Sequence, residues 1–230
     1  MTHKLTVEDI RQYFVDELEA ENFTTDRNGG KTIELIGASF IADENAIFGT
    51  VNPEYVQAEL DWYESQSCNV NDIYGPDRAP PKAWQMTANH NGEVNSNYGH
   101  LIYSAGHWNQ YESALKTLVE SPDTRRAIMV YNRPSIQFEH SWNEINDFIC
   151  TNAVSYYIRN NKLEVVVQMR SNDVVFGYKN DLAWQQHVQD KLRLAYNKIT
   201  DSNVELGEVH WQVQNLHVYE RHFHLVDQIT

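Results

Sequence analysis

Two apolar runs separated by a turn constrain the fold more than any other part of this chain. Residues 148–158 and 163–169 are each long enough to form a strand, and Asn160 and Asn161 stand between them. Asparagine tolerates the left-handed backbone that a tight hairpin turn needs. The pattern therefore predicts a hairpin and disfavours a regular series of βαβ units.

The rest of the chain alternates helical and strand patterns without a repeat or a flexible linker. Thr6 can cap a helix, with Asp9 three residues on, because apolar residues then follow at helical spacing. We predict further helices at residues 55–63 and 182–199, strands at residues 32–41, 126–131 and 209–219, and a Pro-rich surface loop at residues 74–81. We expect one domain over residues 1–230, of α/β class (α+β type), with a mixed, mostly antiparallel sheet flanked by helices.

Charge and composition narrow the class of protein. The 18 Lys and Arg residues against 32 Asp and Glu residues give a net charge of −14, which repels a polyanion such as DNA. We therefore expect no direct nucleic-acid binding, although a few arginines could still hold a small anion. No apolar run approaches the roughly 20 residues of a membrane span. Cys68 and Cys150 are the only cysteines, so we expect no disulfide framework, no membrane association and a cytoplasmic location.

Cys150 is the candidate nucleophile. A thiolate is a strong, soft nucleophile, and a neighbouring arginine lowers the pKa of the thiol. A buried structural cysteine is the alternative, and Cys150 taken alone does not decide between the two. Cys68 lies in a polar, loop-like stretch, and there we favour the structural interpretation.

Two basic clusters could hold a phosphate group. Arg170 and Ser171 follow the second apolar run, and a guanidinium beside a hydroxyl is a natural pair for an anion. Arg125 and Arg126 form the second cluster. Alone, Arg170 is more typical of a surface ion pair, and Arg125 and Arg126 of a charged corner between a helix and a strand. The two clusters together leave a small phosphorylated ligand and these alternatives equally open.

The remaining candidates are a carboxylate and a pair of strand residues. Glu59 lies among apolar neighbours, where burial would raise the pKa of its carboxyl group and suit it to proton transfer; the polar face of a helix is the alternative. His217 and Tyr219 share one face of a strand and could bind a sugar hydroxyl. With His222 and His224, His217 matches no zinc spacing, so we expect no metal.

The order of these parts resembles the thymidylate synthase family. The shared order is an arginine turn with glycine, a helix glutamate, Tyr-Gly, Arg-Arg, a cysteine, Arg-Ser-x-Asp-x-x-x-Gly and His-x-Tyr, and it covers nearly the whole chain. Within that family the chain looks most like the bacteriophage branch that hydroxymethylates deoxycytidylate (dCMP). The runs that carry this likeness are residues 32–40, 95–99, 133–135, 150–152, 169–177 and 216–219.

The resemblance implies a role for each candidate residue. Cys150 would add to C6 of the pyrimidine, and Glu59 would organise water and proton transfers. The residues implied in holding the nucleotide are Arg170, Ser171, Asn172, Arg27, Lys31, His217 and Tyr219, joined by Arg125 and Arg126 from the other subunit of a homodimer whose interface is a sheet face. Those implied in facing the folate are Asp173, Tyr98 and Trp84.

One departure from the family indicates the substrate. The family's uracil-reading asparagine falls on Asp181 when residues are counted without a gap from Gly177, although the adjacent Asn180 would restore an amide after a slip of one residue. A carboxyl group can accept from the 4-amino group of cytosine and, when protonated, donate to N3. Thr151 replaces the histidine that usually follows the nucleophile in thymidylate synthases, as it does in the hydroxymethylases.

The resemblance thus implies a folate-dependent transferase. It would convert dCMP, 5,10-methylenetetrahydrofolate and water into 5-hydroxymethyl-dCMP and tetrahydrofolate, for phage nucleotide synthesis and DNA modification, in the cytoplasm of a host cell. The alternatives are a dUMP-directed hydroxymethylase or thymidylate synthase, a ribonucleotide (CMP) hydroxymethylase, and an inactive homologue that only binds nucleotide or folate.

Overall fold

The first helix begins where the sequence provides a cap for its amide groups. In the computed structural model, which describes residues 4–26 and 29–228, the hydroxyl of Thr6 accepts a hydrogen bond from the amide of Asp9 at 3.4 Å. The Asp9 carboxylate accepts from the amide of Thr6 at 2.7 Å. This reciprocal pair starts α1, Val7–Glu19, and confirms the predicted helix start. Ile10 and Phe14 bury the inner face of α1.

The other elements follow in chain order. The strands are β1 (Thr24–Thr25), β2 (Lys31–Ile41), β3 (Ile128–Val130), β4 (Thr151–Arg159), β5 (Lys162–Asp173) and β6 (Glu205–Tyr219). The helices after α1 are α2 (Pro53–Ser65), α3 (Lys82–Thr87), α4 (Tyr98–Tyr103), α5 (Gln110–Glu120), α6 (Ile136–Glu139), α7 (Gly177–Thr200) and α8 (Phe223–Asp227). Short 3₁₀ turns occupy Val70–Ile73, Ala105–His107, Trp142–Glu144 and Glu220–His222.

The chain forms two compact units, the first of which comprises Met1–Val51 and Ile158–Thr230. In this unit β2 pairs antiparallel with both β1 and β6, and β5 pairs parallel with β6. Gly37 lies within β2 with φ +75°, a backbone conformation that suits glycine, and the register of β2 with β6 is the same on both sides of it. The long helix α7 packs on β5 and β6, with Trp184 and Val188 fully buried.

The second unit comprises Asn52–Tyr157. Here β3 pairs antiparallel with β4, and α4 packs between α2 and α5. Gly99 in α4 explains the Tyr-Gly pair of the sequence, because a Cβ atom at that position would lie 1.7 Å from the carbonyl oxygen of Tyr63. Only glycine allows α2 and α4 to approach so closely.

The strand pairings confirm the predicted class, an α+β fold whose sheet is mixed and mostly antiparallel. Asn160 and Asn161 separate β4 from β5 with φ of 50° and 60°, as the predicted hairpin turn requires. The prediction of a strand over residues 126–131 was too long, since β3 spans three residues. A single domain over residues 1–230 stays a prediction. No helix within residues 4–26 and 29–228 combines the length and apolarity needed to cross a bilayer.

Candidate active site

The Arg-Ser-Asn-Asp run turns the chain from β5 into α7. Oδ1 of Asp173 accepts hydrogen bonds from the amides of Val175 and Phe176 at 2.6 and 2.7 Å. These bonds close a turn, so α7 begins at Gly177, five residues before the predicted start at residue 182. The predicted start was wrong because this turn depends on a carboxylate that binds backbone amides and not on apolar spacing.

The same turn brings Asp181 to the buried amide of Asn172. Nδ2 of Asn172 donates a hydrogen bond to Oδ2 of Asp181 at 2.7 Å, and Oδ1 of Asn172 accepts from the indole nitrogen of Trp211 at 3.2 Å. Asn172 and Trp211 are buried, whereas Asp181 keeps partial exposure. The hydrogen bond from Asn172 thus holds the carboxylate of Asp181 in place at the start of α7.

His217 lies beside the Arg-Ser-Asn-Asp run. The parallel pairing of β5 with β6 sets Asp173 opposite His217, and the ring of Tyr219 meets the His217 ring edge to face at 4.9 Å. The predicted shared face of His217 and Tyr219 is therefore confirmed. Burial lowers the pKa of His217, against the opposing charge of Asp173, so the imidazole is neutral at pH 7. Its Nδ1 lies 3.1 Å from Oδ1 of Asn215, which leaves Nε2 for a hydroxyl group.

The remaining phosphate candidates of this unit are accessible. Arg170 and Ser171 are half-buried near the end of β5. Lys31 is exposed at the start of β2, and its Nζ lies 4.7 Å from the centre of the Phe23 ring. Arg27 lies outside the described residues. Within the described residues, Arg170 and Lys31 are thus partly or fully exposed cations of this unit.

Glu59 of the second unit is the centre of a buried hydrogen-bond network. Its Oε1 accepts from the hydroxyl of Tyr55 and, at 3.1 Å, from the indole nitrogen of Trp84. The side chain is 5% exposed, and burial raises the pKa of Glu59 to about 7, although both hydrogen bonds oppose the shift. Of the two interpretations of Glu59, the buried carboxyl group is the one that the structure shows, and the polar face of a helix is not. A carboxyl group with this pKa exchanges protons readily at neutral pH.

Cys150 immediately precedes β4, next to the fully buried Thr151. Its side chain is half-buried, and the Sγ atom lies 3.7 Å from the carbonyl oxygen of Phe148. Burial raises the pKa of the Cys68 thiol and disfavours its thiolate. Of the two cysteines, Cys150 remains the candidate nucleophile.

Four further candidates fall into two pairs in the second unit. Arg125 and Arg126 are exposed ahead of β3, where they can reach another molecule. Trp84 is half-buried through its contact with Glu59. Tyr98 is 3% exposed and stacks on the ring of Tyr63 at 5.3 Å, so its main contacts are within the protein core.

One group of side chains within the described residues could approach a metal ion. Ligand atoms of Glu164, Glu208 and His210 lie within 4.8 Å of one another. However, Nζ of Lys4 already lies 2.5 Å from Oε2 of Glu208, and the Glu208 amide donates to Oε2 of Glu164 at 2.7 Å. Glu208 is thus paired with a lysine, and Glu164 accepts a hydrogen bond from the backbone.

Comparison with known proteins identifies the family. A sequence model described as thymidylate synthase matches residues 12–230. The deoxycytidylate 5-hydroxymethyltransferase of Enterobacteria phage T4 is 49% identical over 228 residues, covering 99% of this chain and 92% of that protein. The chain belongs to the thymidylate synthase family.

More distant members of the thymidylate synthase family are also similar. The thymidylate synthase of Corynebacterium aurimucosum is 25% identical over 218 residues, covering 88% of this chain and 74% of that protein. The crystal structure of thymidylate synthase from T4 phage superimposes with a TM-score of 0.74 at 22% identity, covering 96% of this chain and 80% of that one, which shows the fold. Enzymes of the family use methylenetetrahydrofolate as co-substrate, bind nucleotide and typically form dimers.

The sequence analysis did not identify two residues that hold candidate site residues in place. Tyr55 precedes Glu59 by four residues, and that helical spacing was a signal for the contact between them. Trp211 lies in a predicted strand, but no sequence signal indicates that its indole binds Asn172, because that contact depends on strand pairing.

Proposed function

We propose that the protein is a deoxycytidylate 5-hydroxymethyltransferase. It would convert dCMP, 5,10-methylenetetrahydrofolate and water into 5-hydroxymethyl-dCMP and tetrahydrofolate. The T4 protein that is 49% identical to this chain bears that name. A cytoplasmic location, in a host cell if the chain is viral, belongs to the same proposal.

The observation that carries the proposal is the contact between Asn172 and Asp181. The amide selects Asp181 and not the neighbouring Asn180, which supports a carboxyl group as the reader of the base. Cytosine presents an acceptor at N3 and a donor at its 4-amino group. A carboxyl group matches both, because its protonated oxygen donates to N3 and its other oxygen accepts from the amino group. The same groups would favour protonation at N3 as electron density enters the ring.

The reaction begins at Cys150. Its thiolate adds to C6 of the pyrimidine, which makes C5 nucleophilic. C5 then attacks the methylene carbon of the folate, and a C–C bond forms. Loss of the C5 proton and of tetrahydrofolate leaves an exocyclic methylene group. Water adds to that carbon, and the Cys150 thiolate leaves from C6, which restores the aromatic ring.

Glu59 serves the proton transfers of this sequence. With a pKa of about 7 it holds a proton for roughly half the time at neutral pH, so it can both accept and donate. Tyr55 and Trp84 hold one carboxylate oxygen in place. The water that adds to the methylene group must lose a proton. Glu59 would orient this water and accept the proton.

The nucleotide is held by charge and by hydrogen bonds. Arg170 and Ser171 would bind the 5′-phosphate together with Lys31, Arg27 and, from the other subunit of a homodimer, Arg125 and Arg126. The exposure of the last two residues supports a contact across the interface. The neutral imidazole of His217, with Tyr219, would bind the deoxyribose 3′-hydroxyl. Asn172 takes part through Asp181.

The folate contacts are proposed at Asp173, Trp84 and Tyr98. Oδ1 of Asp173 accepts the hydrogen bonds of the turn before α7, which leaves Oδ2 for a ligand.

Two apolar residues of β3 support the proposed homodimer. Ile128 and Val130 are 43% and 47% exposed, and apolar residues exposed on a sheet edge support burial in a dimer interface. The proposed reaction involves no direct binding to a nucleic acid or to a membrane.

The proposal is tested by running the reaction with dCMP and methylenetetrahydrofolate in ¹⁸O-labelled water. We expect a hydroxymethylated nucleotide whose new hydroxyl group carries ¹⁸O. The folate product should be tetrahydrofolate without the label. Cys150→Ala should abolish turnover, and Asp181→Asn should move the preference from dCMP towards dUMP. A methylated product with dihydrofolate, or preference of the unmodified protein for dUMP or CMP, would overturn the proposal.

A further inference from the structure

The hydrogen bond between Trp211 and Asn172 fixes which end of the amide faces Asp181. The indole N–H of Trp211 can only donate, so the atom 3.2 Å away must be the carbonyl oxygen of Asn172. The NH₂ group then points to Asp181 at 2.7 Å. An asparagine with neither partner could present either end, and this one cannot.

Packing removes the remaining freedom of the Asn172 amide. Asn172 is 3% exposed and Trp211 is fully buried. Gly177, at the start of α7, lies so close that a Cβ atom there would be 2.9 Å from Nδ2 of Asn172. The amide is therefore confined between a strand and a helix, in one of its two orientations.

The fixed amide restricts where Asp181 can carry a proton. Because an N–H group of Asn172 donates to Oδ2, the unprotonated form of that oxygen is the better acceptor, and a carboxyl proton is favoured on Oδ1. In the orientation that we infer for cytosine, N3 faces Oδ1 and the 4-amino group faces Oδ2, so that Oδ1 donates to N3 and Oδ2 accepts from the amino group with its second lone pair. Uracil has the reverse pattern, a donor at N3 and an acceptor at O4. To match uracil, Oδ2 would have to carry the proton, against the N–H of Asn172.

We propose that Trp211 and Asn172 are positioning residues that make Asp181 selective for cytosine over uracil. The proposal rests on the proposed function and deepens it, because it names the groups that exclude dUMP. Trp211 acts through Asn172, and Asn172 acts through Asp181.

The test compares kcat/KM for dCMP and for dUMP in four variants. Asn172→Leu removes both hydrogen bonds at similar volume, and we expect the dCMP/dUMP ratio to fall by about 100-fold, since a buried polar contact discriminates on that scale. Trp211→Phe frees the amide to rotate, and we expect a fall of about 10-fold. Trp184→Phe is the matched control, because Trp184 is equally buried on α7 and its ring stacks on His187. It should leave the ratio unchanged.

Asn172→Asp keeps the shape of the side chain and provides the second variant if Asn172→Leu does not fold. A carboxylate at this position would compete with Asp181 for one proton, so the pH profile of kcat/KM for dCMP should shift to higher pH. A purely structural role for Asn172 would leave that profile in place.

The outcomes separate this inference from the proposed function. A ratio that is unchanged in Asn172→Leu, or that falls equally in Trp211→Phe and Trp184→Phe, would overturn the positioning role alone. A ratio that is unchanged in Asp181→Asn would show that Asp181 does not read the base, and both proposals would fall. A ratio altered by Asp181→Asn but by neither Asn172 variant would leave the proposed function standing by itself.

Discussion

Gly177 and Asn172 are in such close contact that a methyl group cannot be placed between them. A Cβ atom at residue 177 would lie 2.9 Å from Nδ2 of Asn172 and 3.5 Å from Cβ of Asp173. The glycine of the Arg-Ser-x-Asp-x-x-x-Gly pattern is thus a requirement of the side chain that holds Asp181. Gly177 at the start of α7 thus leaves room for Asn172, which holds the residue that is proposed to read the base.

The first prediction follows from this contact. Gly177→Ala should displace the Asn172 amide and lower kcat/KM for dCMP by about 10-fold, the scale expected for one disturbed hydrogen bond. The helix should survive, because alanine is the better helix former. Steady-state kinetics and circular dichroism measure the two effects. Gly106→Ala is the control, since the nearest atom to its Cβ would be 4.0 Å away; an equal loss in both variants would contradict the explanation.

A second prediction concerns Glu59 and the pH dependence of stability. Its pKa is about 7 in the folded protein, against an ordinary value of 4.5. Between those values the unfolded chain releases the proton while the folded protein retains it, so the free energy of unfolding falls as pH rises through this window. The loss amounts to about 3 kcal/mol between pH 4 and pH 8.

Glu59→Gln should remove that component of the pH dependence. In urea unfolding at pH 4, 6 and 8, the free energy of unfolding of the variant should rise relative to that of the unmodified protein as the pH rises. Glu54→Gln changes an exposed carboxylate of the same helix, which pairs with Arg78, and should follow the unmodified protein. Parallel curves for Glu59→Gln and the unmodified protein would mean that Glu59 is ionised normally in the fold.

The third prediction concerns the hydroxyl group of Tyr55. It donates to Oε1 of Glu59 and stabilises the ionised carboxylate, which lowers the pKa of Glu59. Tyr55→Phe should therefore raise that pKa, and the limb of the kcat/KM profile that reports Glu59 should move up by about one pH unit. Tyr13→Phe, which removes a hydroxyl that donates to the Glu34 carbonyl oxygen, should leave the limb in place. A limb that moves down in Tyr55→Phe would refute this coupling.

The sequence predicted those elements whose signals are local. The capping box of Thr6 and Asp9 and the turn at Asn160 and Asn161 each depend on residues adjacent in the chain, and both were confirmed. The start of α7 was missed because Phe176, at its N-cap, offers no side-chain cap. Asp173 closes the turn before the helix by accepting hydrogen bonds from the amides of Val175 and Phe176, which a pattern of apolar residues does not indicate.

The candidate site was predictable to the extent that a single residue type suggests its chemistry. The raised pKa of Glu59 follows from apolar neighbours, which the sequence displays. The partner Trp84 is 25 residues away and Trp211 is 39 residues from Asn172, so these hydrogen bonds depend on tertiary packing. Residue types and order indicated the chemistry, whereas the orientation of Asp181 required the structure.

Tritium release from [5-³H]dCMP and from [5-³H]dUMP tests the central claim most directly. Each nucleotide would be incubated with the protein and methylenetetrahydrofolate, and the product identified by mass. We predict release from dCMP together with a hydroxymethylated product, because in the proposed reaction the Cys150 adduct loses the C5 proton and Asp181 reads cytosine. Preferential release from dUMP, or a methylated product formed with dihydrofolate, would contradict the account.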